Sequence, residues 1–175
     1  METSEAIKKR RSIRKYQDKP ISKDIIEKLI DAARFAPSGM NSQPWHFIAI
    51  QDKTKLKQIA EMYAKARDKL KIYPQDTSFL EKTNIILVLS EKTPWAKVDC
   101  SFAIQNILLA ATDIGLGSLC LGALMLPENI ETLRTMCNIP DNLEIVMPIV
   151  IGFPDETPEP KPRKEVKEIL DYNKF

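Results

Sequence analysis

Ala36-Pro37-Ser38-Gly39-Met40-Asn41-Ser42-Gln43-Pro44-Trp45-His46-Phe47 lies between an amphipathic helical pattern and an apolar run, Phe47-Ile48-Ala49-Ile50. Pro37 and Pro44 lack an N–H and bias the residue before each toward extended geometry. Gly39 permits a positive backbone dihedral. Ser38, Asn41, Ser42 and Gln43 bring hydroxyl and amide groups that both donate and accept. Two readings fit the stretch. It is a helix stop followed by a strand start, or a turn built to hold a flat heterocycle with donors and acceptors along its edge.

Outward from this turn the chain alternates helices and short strands. Ser22 is a helix N-cap with Asp24 in the first turn, and Ile25, Ile26, Leu29, Ile30 and Ala33 recur at helical spacing, so 22–35 is a helix with one buried face. Residues 3–9 form a shorter helix. Residues 53–70 form another, with Leu56, Ile59, Ala60, Tyr63 and Ala66 inward. It ends at a break over Ile72-Tyr73-Pro74-Gln75-Asp76. Ile85-Ile86-Leu87-Val88-Leu89 is apolar at every position, as in a strand covered on both faces. Residues 96–115 make a helix apolar nearly all round, buried in the core or against another subunit. Ser118–Gly122 reads as a short strand or an extended loop, Pro127 opens a helix to about Cys137, and Glu144–Gly152 is a last strand. Pro148 within it points to an edge or a bulge. A Pro-rich piece from Pro154 to Pro162 leads to a small helix over 163–170. With 5 glycines and no Gly-rich turn between a strand and a helix, a doubly wound dinucleotide fold is disfavoured. The reading is α+β, a small sheet wrapped by helices.

The 175 residues suit one domain with a real core. The net charge of +2 gives no overall argument for nucleic acid or a membrane surface. No apolar run reaches the ~20 residues that span a bilayer. Cys100, Cys120 and Cys137 have no metal-ligand spacing, and a reducing cytoplasm is their simplest home.

Positive charge concentrates at Lys8-Lys9-Arg10-Arg11 with Arg14-Lys15, and again at Lys161-Pro162-Arg163-Lys164. Arginine forks pair with phosphate through parallel hydrogen bonds. If the first stretch is extended, Arg10, Ser12 and Arg14 share one side and Arg11 takes the other. A solvated basic surface is the competing reading. Arg163 could join the cluster. His46, the only histidine, lacks a nearby acid or nucleophile. Cys120 reads as a small buried hydrophobe without a basic neighbour. Asp99, Gln105 and Asn106 read as capping or core hydrogen bonds. No catalytic side chain and no metal site stand out, which suits a protein whose cofactor carries the chemistry.

In order along the chain, five pieces together resemble the nitroreductase family of FMN-dependent oxidoreductases. They are Arg10-Arg11-Ser12-Ile13-Arg14-Lys15-Tyr16; Ala36 through Trp45; Asp99 through Gln105-Asn106 with Leu108-Ala110-Ala111; Gly115 through Gly122; and Pro148 through Pro154 with Lys161-Pro162-Arg163. The resemblance covers nearly the whole chain and matches the shorter members. It implies an α+β fold with a mainly antiparallel central sheet flanked by helices. It also implies an intertwined homodimer, each chain a single FMN-binding domain, 1–175, with 154–175 as a tail packing on the partner.

Carried over by position, Arg10 and Ser12, joined by Arg163 from the tail, match groups at the FMN phosphate and ribityl chain; Arg11 and Lys161 beside them are counted among the cofactor-binding residues. Arg14 matches the basic residue at the pyrimidine edge of the ring. Pro37, Ser38, Gly39, Asn41 and Gln43 match the loop that reaches FMN from the other subunit, and Leu121 and Gly122 the backbone facing the middle of the ring. The implied activity is ping-pong transfer of a hydride from NADH or NADPH through flavin N5 to a nitroaromatic, quinone or similar small acceptor. A flavin-binding or flavin-modifying protein of the same fold without that turnover is the alternative. An RNA-binding module using Lys8–Lys15 is a third reading, opposed by the near-neutral charge. Two positions depart from the larger members. Gln75 and Ser78 lie nearest their flavin-touching Asn and Lys, and Ala123-Leu124-Met125 stands where they carry an acid.

Overall fold

A computed structural model describes residues 1–72 and 76–174. The elements run α1 (Thr3–Lys9), α2 (Lys23–Ala33), β1 (Trp45–Ile50), α3 (Lys53–Lys69), β2 (Asn84–Glu91), α4 (Ala96–Asp113), β3 (Gly117–Cys120), α5 (Pro127–Cys137) and β4 (Leu143–Gly152). The strands form one antiparallel sheet in the order β1-β2-β4-β3, wrapped by helices, so the expected α+β fold is what the chain adopts. Among the described residues no helix is long and apolar enough to cross a membrane.

β2 explains the layering. Its side chains alternate between two cores. Ile85, Leu87 and Leu89 pack with Leu56, Ile59 and Tyr63 of α3 and Leu133 of α5. Ile86 and Val88 pack with Leu29 and Ala33 of α2 and with Cys100, Ala103 and Ile107 of α4. A strand buried on both sides has no polar alternation to show, as its sequence indicated. The cap at Ser22 is present: its hydroxyl accepts the Ile25 N–H at 3.4 Å. Asp52 caps α3 in the same way, accepting the Lys55 N–H at 2.9 Å.

Several expectations need correction. β4 is an interior strand, so Pro148 does not mark an edge. β2 and β4 instead slip register between Val88 and Leu89, leaving Val146 unpaired two residues before the proline. This bulge fits the missing N–H of Pro148 into the sheet. The tail carries one 3₁₀ turn, Val166–Glu168, rather than a helix over 163–170. Of the two readings of α4, full burial in the core of one chain does not hold, since Val98, Phe102 and the preceding Trp95 are exposed; burial against another subunit stays open. The break at 72–76 and the departure at Gln75 fall mainly on residues 73–75, outside those described.

Two glycines fix how the N-terminal basic segment meets the sheet. Ser12 bridges Ser118 in parallel, and the Ile13 N–H donates to the Ser118 carbonyl at 3.1 Å, covering the outer edge of β3. A Cβ on Gly117 would lie 2.8 Å from Ile13, and one on Gly152 2.5 Å from the Tyr16 ring. Tyr16 cannot give way easily. It is buried, its hydroxyl donates to the Ile13 carbonyl at 3.0 Å, and its ring stacks on Phe79. Gly152→Ala therefore overpacks the site and should cost about 1–3 kcal/mol. A urea unfolding midpoint lowered with unchanged slope checks this.

Candidate functional site

Anchoring Ile13 and Tyr16 in the core sets the residues between and before them on the surface beside β3. The chain's end then folds back over them. The Gln17 N–H donates to the Phe153 carbonyl and the Asp155 N–H to the Lys15 carbonyl, each at 2.9 Å. The Glu156 carboxylate accepts the Lys15 N–H at 3.1 Å and also the Arg14 N–H. Residues 153–156 thus run as a short strap along 14–17 of the same chain. The extended Pro-rich piece that follows carries Lys161 and Arg163 back toward the N-terminal arginines.

The result is a cleft of ≈190 Å³ lined by Arg10, Arg11, Ser12, Arg14, Lys161 and Arg163. Among the described residues, five cations and a single acid, Glu159, line this recess. Such a recess repels itself until an anion enters, and guanidinium forks with a hydroxyl suit a phosphate. Arg11, expected on the opposite side, lines this cleft as well. Its guanidinium folds back to donate to the carbonyls of Lys8 at 2.5 Å and Arg10 at 2.9 Å, where the C-terminal end of α1 attracts cations. Arg14 donates to the Ser12 carbonyl at 3.2 Å.

The cleft adjoins the end of β3. Burial pushes the Cys120 thiol up while the charge of Arg10 pulls it down. Cys120 therefore has the basic neighbour its sequence context did not reveal, yet burial dominates and keeps the thiol protonated. Next in the chain, Leu121 is fully buried. Its N–H donates to the Pro148 carbonyl and its carbonyl accepts from Leu124, each at 2.9 Å. Gly122 is exposed and supplies the open surface of this corner.

The loop Pro37–Gln43 does not line the arginine cleft of its own chain. Pro37, Gly39, Asn41 and Gln43 are exposed and Ser38 is half-buried. The Ser38 hydroxyl accepts the Gln43 N–H at 3.0 Å. Gly39 donates to the carboxylate of Asp99 at 3.2 Å, a contact across 60 residues that local sequence could not signal. Asn106, read as a core hydrogen bonder, donates to the Ala32 carbonyl at 3.1 Å. Ser78 is bound to Asp76 and lies away from the cleft. His46 is exposed, 4.0 Å from Glu91.

The model of the nitroreductase family matches residues 7–153. A protein of Methanothermobacter thermautotrophicus with the provisional name NADH dehydrogenase/NAD(P)H nitroreductase is 37% identical over 164 residues, covering 90% of this chain and 80% of its own length. The iodotyrosine deiodinase of Thermotoga neapolitana is 33% identical over 186 aligned positions, covering 96% of each chain. A crystal structure of a nitroreductase with bound FMN from Bacteroides fragilis superposes with a TM-score of 0.78 at 27% identity, covering 99% of this chain and 100% of that one.

Proposed function

The chain belongs to the nitroreductase family, and from that premise we propose that it is an FMN-dependent oxidoreductase drawing on NADH or NADPH to reduce a nitroaromatic, quinone or similar small acceptor. The observation that carries the proposal is the cleft where cations from both ends of the chain converge on Ser12. Its residues fit a phosphorylated flavin. Arg10, Arg11, Ser12, Lys161 and Arg163 take the phosphate and ribityl chain, and Arg14 takes the pyrimidine edge of the ring. Gly122, at the corner shaped by Leu121, faces its middle. When bound, FMN supplies the hydride acceptor and donor, and the protein contributes binding, orientation and a positive field.

The active form is a homodimer. The loop Pro37–Gln43 meets the cofactor of the other subunit, and the tail beyond Arg163 packs on that subunit. Two features support this: the exposed amides of the loop, and the exposed apolar side chains of Val166, Ile169, Leu170 and Tyr172. The three free thiols suit a reducing cytoplasm.

The purified protein should be yellow, and NADH or NADPH added under argon should bleach its visible absorption. A colourless protein that takes up no added FMN ends this reading. A yellow protein bleached only very slowly by either nucleotide points to flavin binding without turnover. The deiodinase relative supports a second reading, reduction of a halogenated phenol. Parallel single-turnover assays of the reduced protein with a nitroaromatic and with 3-iodotyrosine separate the two acceptor classes.

A further inference from the structure

Asp99 is an acid inside an apolar helix. It sits in the first turn of α4, only 6% exposed, beside Cys100 and Ala103 of the core. A buried carboxylate is costly unless hydrogen bonds compensate it. Its Oδ2 accepts the backbone N–H of Gly39 at 3.2 Å. An exposed acid would interact with the N-terminal dipole of the helix without the desolvation cost that Asp99 bears.

The loop it holds is strained. Met40, Asn41 and Gln43 have φ of 53°, 56° and 47°, a region that Asn enters readily but Met and Gln adopt only when their surroundings hold them there. Two backbone bonds close the turn, Asn41 N–H to the Ser38 carbonyl and Ser42 N–H to the Gly39 carbonyl, each at 3.0 Å. Ser38 and Asp99 hold it from beneath, and Met40, Asn41 and Gln43 are left facing outward. A plain helix stop needs neither three left-handed residues nor a buried carboxyl group under them. Backbone kept in such conformations belongs to sites where shape matters to something outside the loop.

We propose that Asp99 is a positioning residue: through the Gly39 amide it holds the Ser38–Gln43 loop in the shape that contacts the cofactor. The proposal rests on the reading of that loop as a wall of the flavin site. Asp99 touches no reacting group; it acts only through the loop.

The test compares Asp99→Ala and Asp99→Asn with wild type and with Arg10→Ala. It reads amide hydrogen exchange of the 38–43 segment, FMN affinity and thermal midpoint. The asparagine keeps an acceptor oxygen for Gly39 and guards against a variant that fails to fold. Asp99→Ala should speed exchange in 38–43 by about tenfold or more, raise the FMN Kd by about tenfold, and leave exchange in β2 and β4 unchanged. Asp99→Asn should restore most of both. Exchange and affinity both at wild-type values in Asp99→Ala overturn the proposal. Faster exchange with unchanged FMN affinity also overturns it, provided Arg10→Ala still loses FMN, because the loop is then ordered by Asp99 without serving the cofactor. Failure of wild type itself to take up FMN removes the functional reading instead, and the exchange arm alone then decides whether Asp99 holds the loop.

Discussion

Arg10→Ala will weaken FMN binding by about 10- to 150-fold, the equivalent of one charge-assisted hydrogen bond of about 1.5–3 kcal/mol. Arg10 lines the cleft and its charge is felt at Cys120, so it stands where the recess turns toward the end of β3. Arg163→Ala should lose a comparable amount although it lies 153 residues later, because the strap at Glu156 returns the tail to the same recess. Lys15→Ala is the control. Its side chain is exposed and outside the cleft, so the change in Kd should stay below about threefold. Raising ionic strength should weaken wild type more than Arg10→Ala, because screening acts on the charge already deleted in the variant. Titration of apoprotein by quenching of FMN fluorescence at two salt concentrations reads all of this. If Arg10→Ala and Arg163→Ala both bind FMN like wild type, the phosphate does not occupy the cleft.

The same recess shows where sequence reading works and where it stops. Local signals carried local structure. The cap at Ser22, the inward set Leu56, Ile59, Ala60, Tyr63 and Ala66, and the unbroken run Ile85–Leu89 each appear as read, because propensity, pattern and burial agree there. Pairing order was not local. Nothing near Pro148 says that β3, after the whole of α4, returns to lie on the far side of β4 and makes it interior. Arg11 failed the simple alternation because Ile13 is pulled into the space left by Gly117, while the guanidinium closes on carbonyls at the end of α1. The cleft itself depends on Glu156 binding two amides more than 140 residues earlier. Composition could gather the arginines as candidates. Only the fold shows that both clusters face one cavity, and that Asp99, within α4, accepts the Gly39 N–H of the loop.

Phe102→Glu should split the proposed dimer and weaken flavin binding with it. α4 buries Cys100, Ala103 and Ile107 against the sheet and leaves Trp95, Val98 and Phe102 at 69%, 47% and 46% exposure. Their spacing of three and four residues places them in one stripe on the opposite face of the helix. An exposed apolar stripe of this kind, on the face of α4 turned away from the sheet, is the surface a subunit contact would use. A glutamate there would have to be buried without a partner, at a cost of several kcal/mol in each of two symmetric copies. Sedimentation should show the variant as single chains, whereas Phe102→Leu keeps the apolar surface and should stay paired. The flavin follows if each site is completed by the neighbour's loop. Arg10, Ser12 and Arg163 remain intact in the variant, so a moderate fall in affinity would leave the phosphate anchored, and near-complete loss would mean that Ser38–Gln43 supplies much of the binding. Single chains that hold FMN as tightly as wild type would place that loop outside the site, and a wild type that is itself a single chain would remove the dimer from the reading altogether.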